Sequence, residues 1–201
     1  FQEERQRTIE ELNLQREEAQ RIAFIAQVDA RRHAENWTDG LVEIGRHIAN
    51  MENTDDVLTA IVKLSRSLLE ADVAALAVWD DDGTHLKLKC HIPNNGNGFM
   101  SEEVICNPLI LECAQRTKAL RYPVDADSIP WRCAVVNHDV QAAAVVALQL
   151  DNRPLGALWL ERFESRPFTE EDVLELSHLA DQAVIAIEHA LMAARIQFPR
   201  A

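Results

Sequence analysis

The stretch AAAVVALQLDNRPLGALWLERFESRPFTEEDVLELSHLADQAVIAIEHALM, residues 142–192, decides the fold. Two apolar runs, 142–150 and 154–162, flank the turn-forming triplet Asp151-Asn152-Arg153. Both runs are apolar at alternate and at intervening positions. They read as a hairpin of central strands covered on both faces. Phe168-Thr169-Glu170-Glu171-Asp172 follows, with Thr169 as a helix N-cap and acids in the first turn. The stripe Val173, Leu176, Ala180, Ala183, Val184, Ile187, Leu191 then predicts a long amphipathic helix over 169–197.

Upstream, VAALAVWD (73–80) and HLKLKCHI (85–92) read as a second hairpin around Asp81-Asp82-Gly83. Asn53-Thr54-Asp55-Asp56 caps a helix carrying Val57, Leu58, Ile61, Leu64, Leu68 and Leu69. A helix is expected from Ser101 to about Thr117, interrupted near Asn107-Pro108, and ALRYPV (119–124) is a short strand candidate. The segment 125–141, with Ile129-Pro130-Trp131 and His138, reads as a loop. Helices open and close a central antiparallel sheet, so the predicted class is α+β, with a long helix in front.

That leading helix is read from composition. Residues 1–39 contain neither Gly nor Pro, and Glu, Arg, Gln and Ala dominate. A heptad frame places Ile9, Arg16, Ala23, Ala30, Trp37 and Ile44 at one seam position. Leu12, Ala19, Ala26, His33, Gly40 and His47 take the other. Small and polar residues in the middle make this a weak zipper. Trp37, Leu41, Ile44 and Ile48 then form a well-marked apolar stripe.

The chain has 201 residues and a net charge of -13, which disfavours nucleic acid as a partner. No apolar run approaches the ~20 residues that span a bilayer, and no signal peptide is visible. A cytoplasmic location is expected, with any membrane contact made by modules outside this piece. The start at Phe1 suggests that it is cut from a longer protein. Cys90, Cys106, Cys113 and Cys133 have no CxxC spacing and read as thiols, most simply as small buried hydrophobes.

NRPLGALWLER followed by RPFTEEDVLELSHLADQAVIAIEHALM resembles the closing hairpin and last helix of the GAF family of sensory domains. VAALAVWDDDGTHLKL resembles its first hairpin, and the likeness covers roughly residues 40–194. The expected organisation is a signalling helix or coiled coil over 1–36 and a GAF domain over 37–194. The resemblance implies a central antiparallel sheet of five to six strands with the N- and C-terminal helices packed on one face, and a ligand pocket on the other. It also implies a parallel homodimer through the N- and C-terminal helices, feeding a downstream module such as the kinase of a two-component histidine kinase. No kinase motif occurs in the chain, so the expected role is non-catalytic sensing and dimerisation.

Through the resemblance, the pocket would involve Trp79, Cys90, Leu109, Cys113, Trp131, Cys133 and His138. An iron–sulfur cluster held by Cys90, Cys106, Cys113 and Cys133 is one alternative, for redox or oxygen sensing. A ligand-free spacer is another, favoured if Trp131 and Leu109 fill the pocket themselves. A third is a thiol-dependent reductase of methionine sulfoxide, as a few relatives are. Family members that attach bilins carry Cys-His after an Asp-Ile-Pro segment. Here Asp127-Ser128-Ile129-Pro130 follows Cys90-His91, and Ala134 follows Cys133, so the pattern argues against a bilin. Haem would need a loop histidine, for which His138 is the candidate; a lone loop histidine is more often solvated. Cyclic-nucleotide binders carry an Asn-Lys that is missing here, and Val173 stands where they have Glu.

Strand alternation adds one expectation for Cys90-His91. Leu86, Leu88, Cys90 and Ile92 should share one face, with Lys87, Lys89 and His91 on the other. On this reading Cys90 is buried and His91 lies at the surface.

Overall fold

The computed structural model describes residues 2–49, 53–93, 103–116, 118–125, 131 and 139–197. Contacts divide the chain into two units, residues 1–42 and 43–201. Helix α1, Gln2–Ala49, supplies the whole first unit and runs unbroken through Gly40 and Gly45. Leu14, Ile22, Phe24, Ile25 and Val28 on it are exposed. Near its end Ile44 is buried, as the apolar stripe requires.

The second unit continues with α2 (Thr54–Leu68), β1 (Val73–Trp79), β2 (Leu86–Pro93), α3 (Pro108–Arg116), β3 (Leu120–Tyr122), β4 (Ala142–Leu150), β5 (Arg153–Arg162) and α4 (Glu170–Gln197). The strands form one antiparallel sheet in the order β2-β1-β5-β4-β3. The β4–β5 hairpin therefore lies inside the sheet, as its doubly apolar strands demand. Its turn places Asp151 at φ 45° and Asn152 at φ 64°, two left-handed residues that match the twist of the strands. Helices α2 and α4 pack together on one face, and α3 crosses β4 and β5 on the other.

Both capping predictions hold in detail. The Asn53 side chain accepts from the Asp55 N–H at the start of α2. Thr169 and Asp172 bond reciprocally, Asp172 N–H to Thr169 Oγ1 at 3.1 Å and Thr169 N–H to Asp172 Oδ2 at 2.9 Å. The stripe of α4 buries Leu176, Ala180, Ala183, Val184 and Ile187, joined by Leu179 and Ala186.

Two local expectations are corrected. Residues 103–107 are not helical: Leu88 N–H donates to Glu103 O, and Ile105 N–H to Leu86 O, so the segment runs along the edge of β2. Pro108 opens α3 instead of interrupting a helix, with no N–H to lose at that position. Asn107 caps it, Oδ1 accepting from Leu109 and Ile110. Cys106 and Cys113 therefore do not share a helix.

The second correction is a β-bulge. Leu76 pairs with Cys90 and Ala77 with Leu88, which leaves Lys89 as an extra residue in β2. Alternation reverses there. Cys90 falls on the α2 face, its Sγ 3.8 Å from Thr59 Oγ1, while His91 joins the face of Leu86 and Leu88. His91 is 1% exposed, not at the surface.

Two contacts fix the layers. Arg162, 5% exposed, donates to the carbonyls of Leu69, Glu70, Arg166 and Pro167, and its guanidinium lies 3.8 Å over the Phe168 ring. One side chain thus ties the end of α2 to the start of α4. Gly156 lets β5 approach β1 closely: a Cβ there would strike the Ala77 carbonyl and sit 2.9 Å from Val78 Cα. The substitution Gly156→Ala is expected to lower stability by about 1–3 kcal/mol through this overpacking. Urea unfolding checks it; a midpoint equal to that of the parent would refute the close approach.

Candidate functional site

The face beneath α3 has an unusual composition. Its floor is alanine: Ala75, Ala77, Ala143 and Ala157, all fully buried. Small floor residues leave volume for large ones above them, and a close-packed interior must fill it. Leu109, Ile110, Cys113 and Ala114 of α3 do so, together with Leu86, Leu88, Trp131 and Trp159.

A carboxylate lies within this apolar layer. Glu161, two residues beyond Trp159 on β5, has no solvent exposure. Its Oε1 accepts the indole N–H of Trp131 at 3.0 Å and that of Trp159 at 3.3 Å. A buried acid is tolerated only with such donors, and a buried indole N–H needs an acceptor. The Tyr122 ring stands 6.0 Å from that of Trp131, tilted by 40°. Trp159 is held by a strand, whereas Trp131 reaches the cluster from outside the regular elements.

His91 occupies the same sheet face. It lies opposite Ala75, which in turn lies opposite Trp159. Burial pushes its imidazole below the usual 6.5. At neutral pH the face beneath α3 therefore carries a neutral imidazole and, across the sheet, the Glu161 carboxyl group with its two indole donors.

The residues anticipated for a pocket divide unevenly. Leu109, Cys113 and Trp131 are buried beneath α3, and half-buried Trp79 packs against them. Cys90 is on the opposite face, against α2. Cys133 and His138 lie outside the described residues. The bulge thereby separates Cys90 from Cys113 by the thickness of the sheet, and Cys106 is exposed at its edge. These three cannot ligate one cluster, and among the described residues no group of three metal-binding side chains converges. Glu161, Trp159, Tyr122 and His91 were not anticipated as site residues. The available signal was Glu161 itself, a charge within the last residues of a strand buried on both faces.

A groove of about 850 Å³ opens at the turn end of the sheet, and Trp79 is among the residues that line it. Leu58, Val78, Leu155 and Ile187 line it among Asp55, Lys87, Lys89 and Arg153. Its mixed charges select no ligand class. Beside it Asp80 organises the β1–β2 turn, accepting from the N–H groups of Thr84 and His85. Those bonds hold its carboxyl at about 2.

The sheet order and the helices on its two faces define a small α+β domain around one five-stranded antiparallel sheet. The chain belongs to the GAF domain family, whose profile matches residues 53–189. Domains of this family are sensory or regulatory modules of signalling proteins, generally without catalysis of their own.

Solved structures share the architecture. The GAF domain of a phosphoenolpyruvate-protein phosphotransferase from Coxiella burnetii is 20% identical, with a TM-score of 0.63 over 80% of this chain and 98% of that one. The phycoerythrobilin-bound GAF domain of a cyanobacterial phytochrome is 18% identical, with a TM-score of 0.60 over 79% and 97%. Free methionine-R-sulfoxide reductase from Neisseria meningitidis, solved with its substrate, is 17% identical, with a TM-score of 0.60 over 78% and 91%. At these identities the likeness is one of fold. A comparison with curated protein sequences gives no match. Among the described residues no helix is long and apolar enough to cross a membrane.

Thiol chemistry and pH both report on this arrangement. Burial raises the Cys90 thiol and pushes Cys113 up to about 12, so neither forms the reactive thiolate at neutral pH. Iodoacetamide labelling followed by peptide mass spectrometry should modify Cys106 far faster than Cys90 or Cys113 in the native protein. Equal rates would contradict the burial.

His91 contributes an acid-side instability. Its folded value lies below its unfolded value, so the unfolded chain takes up the proton first as pH falls. Stability is fully retained above pH 6.5 and declines below it, until the folded-state value is passed. A His91→Gln variant should show a flatter stability profile below about pH 6.5. An unchanged slope in urea titrations would rule out His91 as the source.

Proposed function

We propose that the chain is a non-catalytic sensory and dimerisation module that passes a ligand signal along its terminal helices to an output module such as a histidine kinase. The observation that carries this reading is the buried polar cluster beneath α3. A core built only for stability gains little from an internal carboxylate, whereas a ligand site needs convergent polar groups in an apolar setting. The terminal helices supply the route out. Helix α1 has 48 residues and α4 has 28, longer than packing against one small sheet requires.

The surface of α1 supports dimerisation, through apolar residues that lie outside the two seam positions of the heptad frame. Leu14, Ile22, Phe24, Ile25 and Val28 are 48–67% exposed, and an isolated helix stays formed best when an apolar face is covered. A second copy in parallel register covers it symmetrically. Signalling then requires a ligand with unequal affinity for two packings of those helices. The geometry of the described cysteines lends no support to the iron–sulfur alternative.

One observation favours a second reading, the ligand-free spacer. Trp131 is 6% and Leu109 1% exposed, so among the described residues the chain fills this face with its own side chains.

Light scattering on the chain at micromolar concentration tests the dimer. A mass of two chains is expected, shifting toward one chain in the double variant Ile25→Asp, Val28→Asp. A monomeric parent at high concentration would overturn the proposal.

A further inference from the structure

The second reading and the first meet in the side chain of Trp131. We infer that Trp131 is a built-in occupant of the sensory site, standing where a flat, N–H-donating heteroaromatic ligand would bind to Glu161. The inference rests on the reading of this face as a ligand site and names the chemistry of the ligand.

Three observations carry it. Trp159 and Trp131 donate to the same oxygen, Glu161 Oε1, at 3.3 Å and 3.0 Å. The first donor belongs to a central strand and is fixed. The second comes from residue 131, outside every helix and strand, so replacing it requires no break in the sheet. Oε1 would keep the Trp159 bond throughout, which avoids the cost of stripping a buried oxygen of all its donors.

The surroundings specify a planar group. Tyr122 stands at 6.0 Å from the Trp131 ring, within the range of tilted aromatic pairs. The alanine floor, Ala75, Ala77, Ala143 and Ala157, and Leu109 of α3 belong to the same apolar cluster as Trp131, whose own flat ring defines the space to be filled. What fits is therefore an aromatic ring carrying one N–H aimed at Oε1. An aliphatic chain would lose the contact with Tyr122. A ring lacking N–H would forgo the hydrogen bond to Oε1. A protein side chain in this place competes with such a ligand. It sets a threshold concentration below which the site stays self-filled.

Indole and 1-methylindole are the probes, since they differ in the N–H alone. Calorimetric titration of the full chain and of Trp131→Ala should give indole affinity at least about tenfold higher in the variant, where the competitor is gone. The same variant should prefer indole to 1-methylindole by about tenfold, and the added substitution Glu161→Leu should abolish that preference. Trp131→Phe provides a second test if the alanine variant does not fold. It keeps the ring but loses the competing N–H, so it should bind indole more tightly than the parent does. Equal binding of the two probes by the variants would overturn the assignment to Glu161 while leaving a ligand site on this face. A folded variant that binds neither probe would overturn both the inference and the sensory reading of this face.

Discussion

The end of strand β5 sets the terms for the rest of the domain. Glu161 and Arg162 are adjacent, so alternation sends a carboxylate to one face of the sheet and a guanidinium to the other. Both are buried, and each must find partners locally or the strand cannot remain central. Arg162 finds four carbonyls at the junction of α2 and α4. Glu161 finds two indoles. The demands of one dipeptide thereby organise both layers that cover the sheet.

The two faces use this constraint differently. On the side of α2 and α4, the cation is satisfied by backbone oxygens at helix ends. Those carbonyls belong to the residues that follow α2 and precede α4. On the side of α3, the Glu161 carboxyl group is satisfied by side-chain donors, one of which reaches it from outside the sheet. A fixed polar junction suits a face that transmits force between helices. An exchangeable one suits a face that responds to a small molecule. On the proposed reading, rigidity and responsiveness lie on opposite faces of one sheet.

Much of this was legible in the chain. The β4–β5 hairpin and α4 stand out because their signals are local: doubly apolar strands, a turn pair that accepts positive φ, and Thr169 with Asp172. The bulge at Lys89 was not legible. Strict alternation through LKLKCHI gives an equally good pattern with His91 outside, and only pairing with β1 shows that an extra residue intervenes. Pro108 was ambiguous for a related reason. Proline both breaks a helix and begins one, and the edge pairing of 103–105 decides between them. The iron–sulfur idea failed through the same two features, because sequence spacing carries no information about which sheet face a cysteine reaches. Glu161 escaped notice because a charge at the end of a strand ordinarily marks the surface.

The chain contains four tryptophans, and their indole N–H groups give separate signals in a ¹H–¹⁵N correlation spectrum. With Trp131 and Trp159 bonded to a buried carboxylate, two of these signals should exchange slowly with solvent, and both should move when Glu161 is replaced by Leu. Signals of Trp131 and Trp159 that exchange rapidly and ignore that substitution would contradict the buried arrangement on which the sensory face depends.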